Sequence, residues 1–308
     1  MKTTPSGSNA ILAARLDEKA RPGLAAKLRG YMALIKSRQT LLLLATGLAG
    51  YLSARPEGAT PLTISLMLFS LFAAISGTTA LNMVIDRDID ARMARTAWRP
   101  LPAGTLTPAA ATIFGGGLVA LGLGIAFWLG GLFGLAVAAG VILDLVIYTL
   151  WLKRRSAWAI IFGGVSGGMP IIAGRALVTG RVDGLGLLLA LSVLLWIPSH
   201  IVTFAIKYAD DYRRASVPTW PGVYGFDSAR RFIAWADGLR AVVLVAAGWL
   251  LDICPYSLAL LALSGVITLA LSLWAVVRPS EKINHRLFKF ASVHMLGSMV
   301  LITLGALV

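Results

Sequence analysis

An amide and three carboxylates come together where one long apolar segment ends, in the stretch Asn82-Met-Val-Ile-Asp86-Arg-Asp88-Ile-Asp90. Asn82, Asp86 and Asp90 recur every four residues, so on a helix that continues the apolar segment they line one face as a column of oxygen atoms. Such a column repels itself unless a cation sits in it. Single oxygen ligands suit Mg²⁺ that is also held by phosphate oxygens, so this motif predicts a magnesium and diphosphate site. Asp88 points away from the column, and we expect it to pair with an arginine.

A second acidic cluster follows a later apolar segment, in the stretch Lys207-Tyr-Ala-Asp210-Asp211-Tyr-Arg213-Arg214. Both clusters are accompanied by Lys and Arg side chains, which can hold oxyanions. Acids in a basic loop can also simply pair with neighbouring arginines on a solvated surface. Two clusters on one side of a membrane favour the metal-diphosphate interpretation, because they can converge over one cavity.

The elements that must position these clusters are membrane helices. Hydrophobic residues make up 57% of the 308-residue chain and charged residues only 14%, which is far too apolar for a soluble domain. A helix needs roughly 20 residues to span the hydrocarbon of a lipid bilayer. We therefore expect an all-α membrane protein with about nine transmembrane helices, near residues 39–54, 61–81, 109–129, 132–151, 157–176, 184–205, 231–252, 255–276 and 287–307.

The net charge of +14 could indicate a nucleic-acid partner, but the placement of the basic residues favours membrane topology instead. Nearly all of the 28 Lys and Arg residues precede the first span or lie in every second loop. Only Arg55, Arg175 and Arg181 fall on the other side, and Arg240 lies within a span. We expect no nucleic-acid partner, a plasma-membrane location, and an N-terminus and two Asp-rich loops that face the cytoplasm.

The sequence also suggests how the chain is divided. Residues 1–30 form a polar cytoplasmic segment, and residues 31–308 form a single transmembrane domain. No apolar core adjoins a cleavage site within residues 1–26, so we predict no signal peptide. Cys254 is the only cysteine, which excludes an intrachain disulfide and a metal site built from cysteines.

Taken together, the motifs resemble the UbiA superfamily of intramembrane prenyltransferases, whose first motif has the form N-x-x-x-D-x-x-x-D. The likeness runs from about Tyr31 to Gly225, and the remaining helices match only in hydrophobicity. Within the superfamily the chain is most similar to the branch that farnesylates heme. The stretches that carry the resemblance are Leu34 to Arg38, Asn82 to Asp90, Arg95 to Gly104, Tyr148 to Arg155, Gly168 to Pro170, Trp196 to His200 and Asp210 to Pro218.

This resemblance implies a UbiA-type helix bundle whose cytoplasmic Asp-rich loops close a cavity that opens sideways to lipid. It implies an enzyme, a Mg²⁺-dependent prenyltransferase. The farnesyl group of farnesyl diphosphate would pass to the vinyl group of heme b (protoheme IX), giving heme O and diphosphate. In this reaction the metal and the basic residues stabilise the diphosphate that leaves.

The resemblance also implies roles for individual residues. Asn82, Asp86 and Asp90 would hold one Mg²⁺, and Asp210 with Asp211 would hold or position a second. The catalytic candidates are Asp86, Asp90, Asp211 and Lys207. The candidates for substrate binding are Arg38, Arg95, Arg99, Lys153, Tyr148 and His200.

The chain departs from the pattern of the heme-farnesylating branch at several places. Pro198-Ser199-His200 stands for Pro-Pro-His, Lys36-Ser37-Arg38 for Lys-Pro-Arg, and Val217-Pro-Thr-Trp-Pro221 for Val-Pro-Met-Leu-Pro. Arg175 stands where we expect Trp. These changes spare the diphosphate ligands but affect the acceptor side, so a UbiA-type enzyme that acts on another acceptor, such as an aromatic quinone precursor, is the alternative.

Charged residues inside the predicted spans allow a further class of function. Asp144 is costly in a membrane, so it has an acceptor-side role or forms a structural hydrogen bond. Asp237 and Arg240 are three residues apart, which predicts a local ion pair. An ion-coupled transporter is the alternative from another class, but transporters place such groups near the membrane midplane, whereas both acidic clusters here lie at one face.

Overall fold

The computed structural model describes residues 23–35 and 37–307, with the side chains of Ser37, Arg38 and Leu307 outside that description. Most of the predicted polar segment, residues 1–30, lies outside the described residues, and so does the side chain of the predicted substrate ligand Arg38. The predicted boundary at residue 30 falls inside the first helix, which begins at Leu24.

The described part of the chain is built from helices, which confirms the predicted all-α fold. Two of the helices, α6 and α8, run on as π-helical segments over Leu143–Leu152 and Pro198–Val202. The α-helices are α1 (Leu24–Leu34), α2 (Ser37–Ser53), α3 (Pro61–Ile85), α4 (Arg87–Arg92), α5 (Pro108–Leu129), α6 (Gly131–Ile142), α7 (Ala159–Thr179), α8 (Gly184–Ile197), α9 (Thr203–Lys207), α10 (Ala209–Arg214), α11 (Trp220–Tyr224), α12 (Phe226–Leu250), α13 (Pro255–Val277) and α14 (Glu281–Leu307).

Eight helices in the described ranges are long and apolar enough to cross a membrane, and they coincide with the second to ninth predicted spans. The first predicted span corresponds to α2, whose apolar part is the shorter stretch Gln39–Ser53. The protein is therefore a multi-pass membrane protein with one short helix in its bundle. The crossing helices are Pro61–Ile85, Pro108–Leu129, Gly131–Leu152, Ala159–Thr179, Gly184–Lys207, Phe226–Leu250, Pro255–Val277 and Glu281–Ala306.

The short helix α2 is held by close backbone packing against α7. A Cβ atom on Gly50 would lie 2.2 Å from the carbonyl oxygen of Ile171, and one on Gly174 would lie 2.1 Å from that of Gly47. Only glycine permits this approach, which brings many atoms into van der Waals contact without a hydrophobic driving force. Close packing of this kind anchors α2 within the bundle although the helix is short.

Successive membrane helices alternate in direction, so their ends meet in two layers. At one end, the residues that follow α3, α6 and α9 contact one another, and this is the motif end because both acidic clusters lie there. At the opposite end, the guanidinium of Arg55 donates to the carbonyl oxygens of Ala306 (3.0 Å) and Leu251 (3.1 Å). These bonds satisfy the last carbonyls of α14 and α12, which have no partner within their own helices.

Helix α3 does not run straight through the first motif. It ends at Ile85, Asp86 has a ψ of 3°, and the chain resumes as α4. The prediction of one continuous helix is therefore wrong at Asp86, where Arg154 donates to the carbonyl oxygen of Ile85 at 3.0 Å. Backbone bonds with four-residue spacing persist across the break, from the Asp86 amide to the Asn82 oxygen (2.9 Å) and from the Asp90 amide to the Asp86 oxygen (2.8 Å).

Candidate active site

Asn82 connects the first motif with the neighbouring helix. It lies in the last turn of α3, and its side-chain amide donates to the Asp144 carboxylate at 3.4 Å. Asp144 lies in the π-helical extension of α6 and lines the central cavity. The predicted structural hydrogen bond of Asp144 is present, and its position on the cavity wall also fits the predicted acceptor-side role.

Asp86 lies at the break between α3 and α4, and only 3% of its surface is exposed. One of its oxygens pairs with the ammonium of Lys153, which directly follows the π-helical end of α6. The other oxygen, Oδ1, is buried and has no hydrogen-bond partner in the described part of the chain. A buried carboxylate oxygen without a donor is costly, so Asp86 keeps one position open for a further cationic group.

Asp90 is the third oxygen ligand of the predicted column, and it is also buried. A single guanidinium nitrogen of Arg99 donates to both of its oxygens, at 2.9 Å and 2.7 Å. The exposed Asp88 points away and is held by both terminal nitrogens of Arg154, at 2.8 Å and 2.7 Å. The two hydrogen bonds from Arg154 confirm the predicted arginine partner of Asp88. They hold the pKa of Asp88 below the ordinary value of an aspartate.

Asp211 brings the second motif to the first. Its carboxylate accepts hydrogen bonds from the backbone amides of Ala94 (3.3 Å) and Arg95 (3.4 Å), which lie just after α4, and it pairs with Arg214. Burial by itself raises the pKa of Asp211, but the bonds from Arg214 and the two amides outweigh it and leave the pKa below the usual range. The second motif therefore contacts the loop that directly follows the first motif, and the convergence of the acids over one cavity stays a prediction.

The other two candidates of the second motif point elsewhere. The Asp210 side chain is 74% exposed and pairs with Arg213 on the surface. The ammonium of Lys207 lies 5.2 Å from the centroid of the Tyr208 ring and lines a separate groove beside the start of α14. The structure thus joins Asp211 to the loop that follows the first motif but does not bring Asp210 or Lys207 to it.

Arg95 lies between the two motifs and is surrounded by aromatic rings. Its guanidinium lies 4.9 Å from the ring centroid of Phe204 and 5.1 Å from that of Tyr212, and it donates to the Tyr212 hydroxyl at 3.1 Å. Its Nε is buried without an acceptor among the described residues. Rings on several sides hold this cation in place by cation–π attraction. Its Nε–H can donate a hydrogen bond to an oxyanion.

Tyr148 and Lys153 form the wall opposite the first motif. The Lys153 ammonium lies 5.7 Å from the centroid of the Tyr148 ring, and that ring packs against Gly163 of α7. Both residues belong to the end of α6, where the widened π-helical turns shift the side chains relative to an ordinary α-helix. Lys153 is thereby directed at Asp86.

The residues of the first motif fit Mg²⁺ by chemical type, since they offer carboxylate and amide oxygens. The open Oδ1 of Asp86 is the atom most suited to a cation. Within the described residues no three His, Cys, Asp or Glu side chains converge on one point, and Lys153 and Arg99 pair with Asp86 and Asp90. A metal bound here would share these acids with the two basic side chains.

A cavity of about 610 Å³ begins beside Asp144 and runs between α2, α3, α6, α7, α8 and α14. Its walls are mostly apolar, with side chains such as Ile75, Val137 and Val193. Thr78 lies one helical turn before Asn82, so one side of the cavity adjoins the acidic motif. The cavity therefore offers an apolar chamber next to a charged cluster.

The far wall of the cavity carries His200, in the π-helical segment of α8. Its ring is stacked between Trp196, with centroids 4.4 Å apart, and Phe288, with centroids 4.8 Å apart. Its Nδ1 lies 3.2 Å from the hydroxyl of Ser292. Both Phe288 and Ser292 belong to α14 and line the same cavity. Neither was predicted, because the resemblance ends near Gly225 and an aromatic residue in an apolar stretch is indistinguishable from a core residue.

A second buried polar cluster lies behind the cavity. Asp237 and Arg240 of α12 are fully buried and 3.6 Å apart, which confirms the predicted ion pair. Arg240 also donates to Nδ1 of His294 at 2.8 Å, and Asp237 accepts a hydrogen bond from Ser199. A guanidinium has no acceptor, so Nδ1 of His294 must accept and the proton of its neutral ring lies on Nε2.

Arg175, the departure from the expected Trp, lies at the end opposite the motifs. Its guanidinium donates to both oxygens of Asp183, at 3.0 Å and 2.6 Å, and to the hydroxyl of Ser53 at 3.0 Å. Asp183 in turn caps α8 by accepting from the Gly186 amide at 2.7 Å. Hydrogen bonds from Arg175 hold the pKa of Asp183 below its usual range. Arg175 thus braces three helix ends and does not line the cavity.

Comparison with known proteins defines the class to which this fold and site belong. The model of the UbiA prenyltransferase family matches residues 43–294, most of the chain, and the protein therefore belongs to the UbiA prenyltransferase family. It is accordingly a prenyltransferase embedded in a membrane, and the transporter alternative is wrong.

Among curated proteins, similar relatives bear the name protoheme IX farnesyltransferase. The one from Archaeoglobus fulgidus is 39% identical over 271 residues, which cover 87% of this chain and 94% of the relative. The one from Korarchaeum cryptofilum is 37% identical over 269 residues, which cover 86% of this chain and 90% of the relative.

Solved structures share the fold at lower sequence identity. A digeranylgeranylglyceryl phosphate synthase superposes with a TM-score of 0.74 at 20% identity, covering 91% of this chain and 98% of that protein. A UbiA homolog from Archaeoglobus fulgidus bound to DMAPP and Mg²⁺ superposes with a TM-score of 0.66 at 14% identity, covering 88% and 98%. The predicted UbiA-type bundle is confirmed.

Proposed function

We propose that the protein transfers a farnesyl group from farnesyl diphosphate to the vinyl group of protoheme IX and so produces heme O and diphosphate. The observation that carries this proposal is the placement of two joined acidic motifs at one side of an apolar cavity whose other side presents His200 between two aromatic rings. The names of the curated relatives support the same donor and acceptor.

The motif end would hold the diphosphate. Asn82, Asp86 and Asp90 are the proposed ligands of one Mg²⁺, and Asp211 is the proposed ligand or positioning group of a second. Asp210 is left out of the proposed site, because its side chain is exposed and pairs with Arg213 on the surface. When bound, Mg²⁺ would neutralise the charge that develops on the departing diphosphate. The catalytic residues in this proposal are Asp86, Asp90 and Asp211. The predicted catalytic role of Lys207 is not retained, because its ammonium lies over Tyr208 and lines a separate groove.

Basic side chains already present at the motif end would bind the oxyanion directly. Lys153 pairs with Asp86 and Arg99 pairs with Asp90. A bound diphosphate would compete with the two carboxylates for these basic side chains, and its metal would compete with the basic side chains for the carboxylates. Arg95, held between aromatic rings, presents a cation next to Asp211. We propose that these three residues, together with Arg38 and Tyr148, orient the diphosphate so that its bond to C1 of the farnesyl group faces the cavity.

The cavity walls would then control the reaction. The bond between C1 and the diphosphate oxygen breaks, and the oxygen keeps the electron pair. The π electrons of the heme vinyl group form the new carbon–carbon bond with C1, and the cation left on the vinyl carbon takes up a water oxygen and releases a proton. Apolar walls exclude bulk water from the allylic cation before the vinyl group reacts.

His200 is the proposed acceptor contact. Its ring lies between those of Trp196 and Phe288, inclined to them by 22° and 19°, so the far wall carries a rigid aromatic stack that a flat apolar macrocycle can contact. The Pro198-Ser199-His200 departure does not remove this surface, since Ser199 turns away from the cavity to Asp237.

The active-site loops would face the cytoplasm from the plasma membrane. Arg55 and Arg175, two of the few basic residues assigned to the outer side, do lie at the end opposite both motifs. This arrangement agrees with the excess of basic residues on the cytoplasmic side of membrane proteins.

A reconstituted assay tests the function. Purified protein in nanodiscs is incubated with Mg²⁺, farnesyl diphosphate and heme b, and products are separated by mass-resolved chromatography. The proposal predicts a heme whose mass increases by one farnesyl group and one hydroxyl group, since the added water loses one proton. An aromatic quinone precursor serves as the competing acceptor, and its prenylation in place of heme would overturn the proposed acceptor.

A further inference from the structure

A second concave surface lies at the motif end, next to the far wall of the cavity. It has a volume of about 450 Å³ and lies between α9, the start of α12 and the start of α14. Lys207, Arg230, Lys282 and His285 line it, and we call it the basic groove. Glu281 is the only acidic side chain among its lining residues. The groove therefore favours an anionic ligand.

The charges in the basic groove are largely free to bind such a ligand. Arg230 pairs with Asp227 at 2.9 Å, but the Asp227 side chain is 84% exposed and the pair lies at the rim. Lys207 and Lys282 form no ion pair with any described residue. Because the Asp227 carboxylate is largely solvated, its pairing with Arg230 contributes little, and a bound anion can displace it.

The basic groove and the far wall of the cavity are built from the same two helical segments. On α14, Lys282 and His285 line the groove, and Phe288 lines the cavity about one turn further along. On the other segment, Lys207 lines the groove and His200 lines the cavity. His200 and Lys207 are seven positions apart, which is roughly 10 Å along a helix at 1.5 Å per residue.

A direct hydrogen bond fixes these two segments to each other. The side-chain amide of Asn284 donates to the carbonyl oxygen of Thr203 at 2.8 Å. Thr203 is the first residue of α9, just after the π-helical segment that carries His200. Because of this bond, the groove and the aromatic surface of the cavity keep a constant spacing.

We propose that the basic groove binds the carboxylates of the acceptor while its ring system rests against His200 and Phe288. This inference depends on the proposed function. Protoheme carries two propionates on one edge and its vinyl groups elsewhere on the ring. Propionates held in the groove would direct the opposite part of the ring across the cavity, toward Asn82 and Asp144. The groove then selects an acceptor that is apolar, planar and acidic on one edge.

Chemical masking of the carboxylates tests this proposal. The KM is measured for heme b and for its dimethyl ester, with wild-type protein and Lys282→Gln in nanodiscs of neutral phosphatidylcholine. We expect Lys282→Gln to raise the KM for heme b about fivefold or more relative to the ester, because only heme b offers a charge to Lys282. Lys282→Arg should return the KM for heme b, relative to that for the ester, to the wild-type value. Arg286 is an exposed neighbour outside the groove, and Arg286→Gln should leave the KM for heme b and the KM for the ester unchanged.

Two results would overturn the proposal. One is an equal change, or no change, for heme b and the ester. The other is an effect of Lys282→Gln that appears only when anionic lipid is added to the discs and is the same for both acceptors, which would assign the groove to lipid headgroups. Absence of product with wild-type protein would instead count against the proposed function. Binding of heme b and the ester, followed by absorbance titration, would in that case still decide whether Lys282 recognises the carboxylates.

Discussion

The carboxylate of Asp211 accepts a hydrogen bond from the backbone amide of Arg95 at 3.4 Å. These residues are 116 positions apart in sequence, and the bond ties the second acidic motif to the loop that follows the first. Since the adjacent Arg99 holds Asp90, a movement of either motif is transmitted to the other through this loop. The proposed diphosphate site is thus one connected unit at the motif end.

Removal of the Asp211 carboxylate should disconnect the two motifs. In Asp211→Ala, the amides of Ala94 and Arg95 lose their acceptor, and we expect faster hydrogen exchange at both. Prenyl transfer should fall about 100-fold or more, the magnitude typical when a preorganised electrostatic contact at an active site is lost. Hydrogen–deuterium exchange and turnover are measured on the same preparation.

Asp210→Ala is the matched control for this experiment. Asp210 is the exposed neighbour of Asp211 and contacts Arg213, so its loss should leave exchange in the loop unchanged and reduce turnover less. Equal protection of Ala94 and Arg95 in wild type and Asp211→Ala would contradict the connection between the motifs.

The buried pair of Asp237 and Arg240 should contribute strongly to stability. Asp237→Asn leaves the Arg240 guanidinium buried without its counter-ion, which costs about 3–5 kcal/mol. Thermal unfolding in detergent should show a clear drop in Tm. Asp227→Asn provides the comparison, because Asp227 and Arg230 have the same three-residue spacing on the same helix but lie at the surface. A similar drop in both variants would mean that burial is not the cause.

Cys254 should report the orientation of the protein in the membrane. It lies between α12 and α13 at the end opposite the motifs, and its amide donates to the carbonyl oxygen of Gly305 at 3.2 Å. The hydrogen bond between its thiol and Ser257 lowers the pKa of Cys254, which increases the reactive thiolate at neutral pH. A membrane-impermeant maleimide should therefore label Cys254 in intact cells.

The variant Ser257→Ala controls for the cause of this reactivity. Without the hydroxyl, the thiol pKa should return toward its ordinary value, and labelling at pH 7 should slow while labelling at high pH stays fast. Labelling of wild-type protein only after the cells are opened would place Cys254 inside and reverse the proposed topology.

The sequence predicted the membrane helices because they depend on local patterns, and the chemistry of the motif end stays a prediction. Runs of apolar residues located the spans to within a few positions, and the four-residue spacing identified Asn82, Asp86 and Asp90. The break at Asp86 was not predictable, since it coincides with a contact from Arg154, 69 residues away from Ile85. The exposed position of Lys207 depends likewise on how α9 packs against α14.

The aromatic surface around His200 shows the same limit. His200 and Trp196 are four residues apart, which places them on one helical face. Phe288 comes from another helix, and only tertiary packing brings its ring to 4.8 Å from that of His200. Contacts between helices decide which of many similar apolar residues form the cavity, and no local pattern encodes them.

Binding of a farnesyl diphosphate analogue that cannot ionise tests the central claim, that the first motif holds a metal-bound diphosphate. Calorimetric titrations compare wild-type protein, Asp86→Asn and Asp88→Asn, each with Mg²⁺ and with EDTA. Asp88 is the matched control, because it lies in the same motif but faces Arg154 at the surface. We predict binding that requires Mg²⁺, is weakened at least about tenfold in Asp86→Asn, as expected for loss of a charge-assisted contact, and is unchanged in Asp88→Asn. Binding of equal strength with EDTA, or in Asp86→Asn, would contradict this account.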